Sequence, residues 1–163
     1  MNSIVRILWI ISFITACLTL ILSYGFLPKD MVLMGFEYTS ISKSVFFNSY
    51  LIILALLFFI SRLFHKGIRE MNWAFLFPLS RRWMENPESR DQYREHIDSW
   101  IMSIFMTFNL LFTSTIFLFW SGNDRLVFAY QQVFITSLLL FSFVLILVII
   151  IPPFLIFKGP KHG

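Results

Sequence analysis

Four long runs of this chain carry no charged side chain, and this feature restricts the fold more than any other. They are Ile7 to Tyr24, Ser44 to Ser61, Ser99 to Ser121 and Leu126 to Phe157. A helix needs about 20 residues to cross the hydrocarbon core of a bilayer, so each run is long enough, the first two with help from flanking residues. In lipid each run must satisfy the hydrogen-bonding groups of its own backbone, which a helix does. None of the runs shows the alternation of apolar and polar residues that is typical of a barrel strand.

We therefore predict an all-α integral membrane protein with spans at about 7–24, 44–61, 99–121 and 126–151, forming a single membrane domain over residues 1–163. Composition agrees: 58% of the residues are hydrophobic and only 13% are charged, against about 25% charged in a typical soluble domain. The net charge of +4 does not indicate nucleic acid, because the basic residues are scattered among acids. Cys17 stands alone, so neither a disulfide framework nor a cysteine metal site is expected.

Basic residues predict the orientation of the four spans. With an even number of spans, both termini and the segment 62–98 share one side of the membrane. That side holds ten Lys and Arg residues and the opposite side three, namely Lys29, Lys43 and Arg125. Because Lys and Arg accumulate in cytoplasmic loops, we expect both termini in the cytoplasm.

The first span also resembles a lipoprotein signal peptide, since Arg6 precedes an apolar stretch that reaches Cys17 in "ITAC". The apolar run continues through "LTLILSY", whereas a cleaved signal normally gives way to polar chain. We therefore expect the first span to be retained. At the other end of the chain, Pro152 and Pro153 interrupt the long fourth run, and we expect that helix to kink or stop around Ile151.

The cytoplasmic segment 62–98 has two parts. The first mixes bulky apolar and basic residues, a pattern typical of a segment that lies in the membrane interface. We expect Trp73, Arg81, Arg82 and Trp83 to act as interfacial anchors there. The second part begins with Asn86, Pro87 and Glu88, a helix-start signal, and no breaker separates it from the third span. It predicts one continuous helix from about Pro87 to Ser121.

The projecting start of that helix carries opposite charges at three- and four-residue spacing. It is interpreted either as a docking surface for another protein or as a solvated extension that fixes the depth of the third span. The candidate docking residues are Arg90, Asp91, Arg94, Glu95 and Asp98. Because their charges nearly cancel with those around them, nucleic acid is not expected to bind there.

Small and hydroxylated residues form a stripe on the first and on the third span. Lipid supplies no hydrophobic force between helices, so close packing depends on such stripes, and we expect spans one and three to pack together through them. The helix-packing candidates are Ser12, Ala16, Thr19, Ser23, Ser103, Thr107 and Ser114. Asn48, Asn109, Gln131 and Gln132 are predicted either to make interhelical and interface hydrogen bonds or to line a small polar path.

No motif in this sequence indicates catalysis. The cores of the four spans hold no ionisable side chain of the kind that marks pumps and relays. His65, His96 and His162 lack the spacing of a helical metal site, and no in-membrane haem ligand is recognisable. We therefore predict a protein that is not an enzyme and that has no cofactor, no metal and no nucleic-acid partner. Its expected partners are membrane lipids and other integral membrane proteins.

The middle of the chain resembles a known family. "FLPKDMV" after the first span and "SISKSVFF" before the second are similar to the Leu-Pro…Ser-Lys…Phe loop of small bacterial membrane proteins whose domain also forms the N-terminal part of SdpI-type immunity proteins. In the four-span members a segment Asn-Arg-Asp-Tyr-Trp-Leu-x-Pro-Glu-x-Arg-Glu precedes span three. "SRRWMENPESRDQY" resembles it at Arg81, Trp83, Pro87, Glu88 and Arg90. The resemblance implies a four-span fold and supplies no catalytic residue.

These patterns favour a non-enzymatic inner-membrane protein that works by lateral contact with other membrane proteins, as an accessory subunit of a membrane complex or an immunity-like protector. The alternative is a small oligomeric transporter or channel, with Asn109 and its neighbours lining a path.

Overall fold

Four long helices make up most of this protein. The computed structural model describes residues 2–32, 40–70, 83, 87–123 and 131–157. The helices are α1 (Asn2–Phe26), α2 (Lys43–Glu70), α3 (Pro87–Asn123) and α4 (Gln131–Phe157). Each contains a window long and apolar enough to cross a membrane, which confirms the predicted four apolar helices.

The third helix is longer than a bilayer requires. Its 37 residues extend about 55 Å, compared with about 30 Å for a hydrocarbon core. The helix runs without interruption from Pro87 to Asn123, in agreement with the continuous helix expected from Pro87 to Ser121. The polar first turns therefore project beyond the apolar part of the bundle.

A short β ladder departs from the all-α expectation. Strands β1 (Asp30–Val32) and β2 (Ser40–Ser42) pair in antiparallel fashion, with Met31 opposite Ile41. The Lys43 amide extends the pairing by donating to the Lys29 carbonyl at 2.8 Å. Three-residue strands are too short to show a period of two, so hydropathy alone does not detect them. The ladder connects directly to α2, whose Val45 amide bonds to Ser42 Oγ at 3.4 Å as in an N-cap.

The third helix lies at the centre of the bundle and packs extensively against α1 and α4 and less extensively against α2. Aromatic pairs occupy each of these contacts. Phe26 stacks on Trp120 between α1 and α3, Tyr50 meets Phe112 between α2 and α3, and Phe117 stacks on Phe134 between α3 and α4. Because α4 packs chiefly against α3, most of its circumference stays uncovered.

Small residues form the contact between α1 and α3. Ser12, Ala16, Thr19 and Ser23 are buried on α1, as are Thr107 and Ser114 on α3, while Ser103 is half-buried. Their hydroxyls largely bond back to their own helices, as when Ser23 Oγ donates to the Leu20 carbonyl at 2.8 Å. The stripes therefore let the two backbones approach closely without leaving hydroxyl groups unpaired.

The sequence predicted that the fourth helix would kink or stop around Ile151, and the helix does not stop there. It continues through Pro152 and Pro153 to Phe157. Proline has no N–H, so Pro152 leaves the carbonyl four residues earlier, that of Val148, without its helical donor. The indole N–H of Trp100 on α3 donates to that carbonyl at 2.7 Å. A neighbouring helix thus satisfies the backbone group that proline frees, as membrane helices require.

A double-mutant cycle tests this compensation. We expect Trp100→Phe to lower the free energy of unfolding in mixed micelles by about 1–2 kcal/mol, because the Val148 carbonyl loses its donor. In a Pro152→Ala background the alanine N–H supplies that bond, so the same change should cost clearly less. Equal costs in both backgrounds would show that the indole hydrogen bond does not serve this carbonyl.

Candidate functional site

Three ionisable side chains from three helices meet at the end of the bundle where α1 begins. Arg6 comes from α1, His65 from α2 and Asp98 from α3, and we call them the polar cluster. His65 Nδ1 lies 2.7 Å from Asp98 Oδ1, and Arg6 Nη2 lies 2.9 Å from His65 Nε2. Arg6 Nη2 is also 3.7 Å from Asp98 Oδ2. The cluster therefore ties the three helix ends together through charge and hydrogen bonds.

The neighbours of His65 set the hydrogen-bonding roles of its two ring nitrogens. A guanidinium only donates, so the Nε2 atom that faces Arg6 accepts. Nδ1 then donates to Asp98. The imidazole thus bridges the Arg6 guanidinium and the Asp98 carboxylate, with both ring nitrogens engaged.

This tautomer can be measured directly. In protein labelled with ¹⁵N at histidine, we expect His65 to show a protonated Nδ1 and an unprotonated Nε2 at neutral pH, because Arg6 cannot accept a hydrogen bond. His96, exposed on α3, is the control and should show the solvent mixture of tautomers. A protonated Nε2 on His65 would contradict the geometry of the cluster.

The cluster is buried unevenly. The Asp98 side chain is 8% exposed and that of His65 15%, whereas that of Arg6 is 36% exposed. The Arg6 Nε atom is itself buried and has no hydrogen-bond partner among the described residues. The carboxylate therefore lies inside the bundle, and the guanidinium covers it from the outer side.

Heptad spacing is the signal that sequence reasoning missed. Each cluster residue lies just beyond one of the charge-free runs of the sequence and continues the stripe of residues that the run buries. Asp98 continues the buried series Met102, Phe105, Asn109 and Phe112 at spacings of four and three. Arg6 likewise extends the series Trp9, Phe13 and Ala16, and His65 extends Ser61, Phe58 and Leu54. Charged residues that extend three packing stripes meet where the stripes meet.

Asn109 belongs to a second polar contact, between α1 and α3. It is buried, and its Nδ2 donates to Ser12 Oγ at 3.2 Å. Ser12 Oγ in turn donates to the Trp9 carbonyl at 2.8 Å. Of the two sequence interpretations of Asn109, the structure has the interhelical hydrogen bond. Asn48 and Gln132 are exposed and Gln131 is half-buried.

The candidate docking residues do not share one environment. Arg90, Asp91 and Glu95 are exposed, and Arg94 is half-buried with its Nη1 3.5 Å from Asp91 Oδ1. Asp98 differs from the others, because its carboxylate faces His65 and Arg6 inside the bundle. A docking surface on the projecting part of α3 can therefore include the first four residues but not Asp98.

The expected interfacial anchors are described only in part. Trp73, Arg81 and Arg82 lie outside the described residues. Trp83 is 5% exposed and packs in a cluster with Ile68, Tyr93 and Ile97. Its ring centroid lies 5.7 Å from that of Tyr93. The Trp83 side chain therefore fills a small core beside α3.

The opposite end of the bundle brings together residues from the loop that resembles the SdpI-type domain. Leu27, Met31 and Phe46 form a buried cluster. Lys43 Nζ donates to the Leu27 carbonyl at 3.0 Å and lies 4.7 Å from the centre of the Tyr24 ring. Residues before and after the β ladder thus hold the ends of α1 and α2 together.

Within the described ranges no group of three His, Cys, Asp or Glu side chains is placed to hold a metal ion. Comparisons with protein-family models, with curated proteins and with solved structures find no significant match to this chain. The resemblance to the SdpI-type domain therefore remains a prediction from the sequence.

Proposed function

We propose that this chain is a non-enzymatic inner-membrane protein that binds other integral membrane proteins laterally, as an accessory subunit or an immunity-like protector. One observation carries the proposal. In the membrane-spanning window of α4 no side chain is buried within the chain, and the helix packs chiefly against α3. A membrane helix so open on its sides can be covered by a second protein without any rearrangement of the bundle.

The open face of α4 has a definite chemistry. Its exposed side chains are large and apolar, and its hydroxyls, such as Thr136 Oγ1, bond to carbonyls of the same helix. The exposed set is Val133, Ile135, Leu139, Leu140, Phe143, Ile146, Leu147, Ile149, Ile150 and Ile151. Close packing between membrane helices favours small residues on at least one side, so the partner is expected to present a stripe of Gly, Ala or Ser.

The rest of the bundle supports a scaffold role. The polar cluster joins α1, α2 and α3 at one end, and the contacts of Lys43 with Leu27 and Tyr24 join α1 and α2 at the other. Asn109, which a transport path would need, is buried and bonded to Ser12. This placement favours lateral binding over transport. Arg90, Asp91, Arg94 and Glu95, on the projecting part of α3, form the proposed second contact surface outside the membrane.

Site-specific photo-crosslinking in living cells tests the proposal. A photoreactive phenylalanine analogue replaces Phe143 on α4, which is 58% exposed, and the matched control replaces Phe59 on α2, which is 64% exposed. The two positions are matched because each carries an exposed phenylalanine in the unaltered protein. We expect a discrete protein adduct from position 143 and mainly lipid adducts from position 59, because the proposal assigns the partner to α4.

The adduct is then identified by mass spectrometry, and the tagged partner must recover this chain in mild detergent. Leu139→Ala and Leu140→Ala, which reduce the apolar face, should weaken that recovery. Protein adducts of equal yield at both positions, or none at either, would overturn the proposal, because a specific lateral contact requires one face to differ from another.

The same proposal includes the orientation in the membrane. The distribution of ten against three basic residues supports cytoplasmic termini in a bacterial inner membrane. A fluorescent protein fused to the C-terminus should fluoresce, and alkaline phosphatase fused there should be inactive. Active phosphatase at the C-terminus would reverse the orientation.

A further inference from the structure

Arg62 on α2 is a second arginine at the end of the bundle that holds the polar cluster, and its surroundings differ from those of Arg6. Its side chain is exposed, and its guanidinium carbon lies 5.7 Å from the centre of the Trp9 ring and 5.5 Å from that of Phe58. Among the described residues it pairs with no carboxylate. Arg62 is therefore a cation supported by two aromatic faces and open on its outer side.

The positions of α1 and α2 explain how the two arginines come together. Arg6 meets His65, and one turn deeper Trp9 meets Arg62, so the antiparallel helices pair residue 6 with 65 and residue 9 with 62. Both guanidinium groups thus lie along the contact between α1 and α2, which we call the arginine seam.

The position of the seam favours an anionic partner. Arg62 directly follows Ser61, where the charge-free run of α2 ends, and it lies within the candidate span Lys43–Ile68. A guanidinium at the edge of the hydrocarbon core is costly when only apolar groups and lipid chains surround it. Cation–π contacts with Trp9 and Phe58 offset part of that cost. Among the described residues no acceptor bonds to the donors on the outer side of Arg62.

We propose that the arginine seam binds the phosphate of an anionic membrane lipid. A guanidinium donates two parallel hydrogen bonds to phosphate oxygens, and basic sites between membrane helices suit anionic headgroups. The only described carboxylate at the seam is that of Asp98, which is buried and paired with Arg6 and His65, so the outer side stays positive. This site is independent of the partner surface proposed on α4.

A lipid fits the seam better than a free phosphate ion. Phe59 lies one turn deeper than Arg62 on the same side of α2 and is exposed, and Ile10 is exposed beside Trp9 on α1. An acyl chain can cover these two residues while its headgroup remains on the arginine, and an inorganic ion cannot do so. The combination of a cation above and apolar surface below matches the two ends of one lipid molecule.

Native mass spectrometry of the full chain in mild detergent tests the proposal. Phosphatidylglycerol is titrated against phosphatidylcholine of the same chain length. We expect phosphatidylglycerol to bind more tightly, and Arg62→Gln to weaken it about fivefold, the effect of one basic residue near an anionic surface. Arg62→Lys, which keeps the charge, should retain most of the affinity. The matched control is Arg90→Gln, an exposed arginine on α3 outside the seam, which should bind as the unaltered protein does.

Several results would overturn the site. Equal affinity for the two lipids would show that the site does not select anionic headgroups. An undiminished affinity in Arg62→Gln would show that Arg62 does not bind the phosphate. An equal loss of phosphatidylglycerol affinity in Arg90→Gln would show that the net charge of the protein, and not the arginine seam, determines binding. Displacement of the lipid by inorganic phosphate at comparable concentration would assign the seam to the free ion. Far-ultraviolet circular dichroism matching that of the unaltered protein establishes that Arg62→Gln retains its helices.

Discussion

Replacement of Asp98 by alanine is expected to destabilise the bundle by about 3 kcal/mol in mixed micelles, one of the two largest effects we predict. The substitution leaves Arg6 and His65 facing each other with no anion between the helix ends. Removing one partner of a buried charge pair costs about 3–5 kcal/mol when both partners are buried. The partial exposure of Arg6 to solvent sets the expected value at the lower end of that range.

Two controls separate the cluster from a general charge effect. Asp91→Ala removes an aspartate that is 73% exposed and pairs with Arg94 on the same helix, so it should cost at most about 0.5 kcal/mol. Asp98→Asn keeps an oxygen that accepts the His65 Nδ1 hydrogen bond but removes the charge. Its cost in unfolding free energy should therefore lie between those of Asp98→Ala and Asp91→Ala. If Asp98→Ala and Asp91→Ala cost the same, the polar cluster does not hold the three helices together.

Substitution of Ala16 by leucine is the second large effect. Ala16 is 0% exposed and lies among the small residues where α1 meets α3. Three additional carbons cannot enter that contact without separating the two helices. Overpacking of this kind costs about 1–3 kcal/mol, and we expect a value near the upper end because Ala16 is fully buried against Leu54, Phe112 and Ile116.

Ala55→Leu is the matched control for this change. Ala55 is exposed on α2, so the same substitution should change the unfolding free energy by less than about 0.5 kcal/mol. Unfolding by denaturing detergent, followed by circular dichroism, measures both variants. Equal effects at the two positions would contradict the close contact between α1 and α3.

Charge-free length and small-residue stripes were enough to predict much of this fold. They identified four membrane-length helices, the uninterrupted helix from Pro87 and a series of small residues that are largely buried on α1 and α3. These features depend on local composition and on the helical repeat, which a sequence displays directly. The ends of α1 and α2 extend beyond the predicted spans because polar and basic residues also continue a helix once it has begun.

The features that sequence analysis missed depend on contacts between helices. Pro152 was expected to kink or end α4, and nothing near it in the sequence indicates that Trp100 satisfies the carbonyl it frees. Asp98 was interpreted as part of a solvated helix surface, although its spacing from Met102 and Phe105 continues a buried stripe. Hydropathy counts a charged residue against burial, and only the convergence of three helices reveals the partners that permit it.

The contacts of α4 differ from those of the other three helices. Ion pairs, hydrogen bonds and aromatic contacts cross-link α1, α2 and α3, whereas the described contacts of α4 are chiefly with one helix. Such an arrangement combines a fixed unit with an accessible apolar surface. The proposed lateral binding depends on that accessible surface.

Oxygen and nickel accessibility of a spin label on α4 shows whether this helix crosses the bilayer and faces lipid or a membrane partner. With Cys17 replaced by serine, a label at Leu140, which is 57% exposed, is measured in reconstituted vesicles. We predict strong relaxation by oxygen, which dissolves in lipid, and little by a water-soluble nickel chelate. Relaxation by the nickel chelate as strong as that by oxygen would place Leu140 in water and contradict the account.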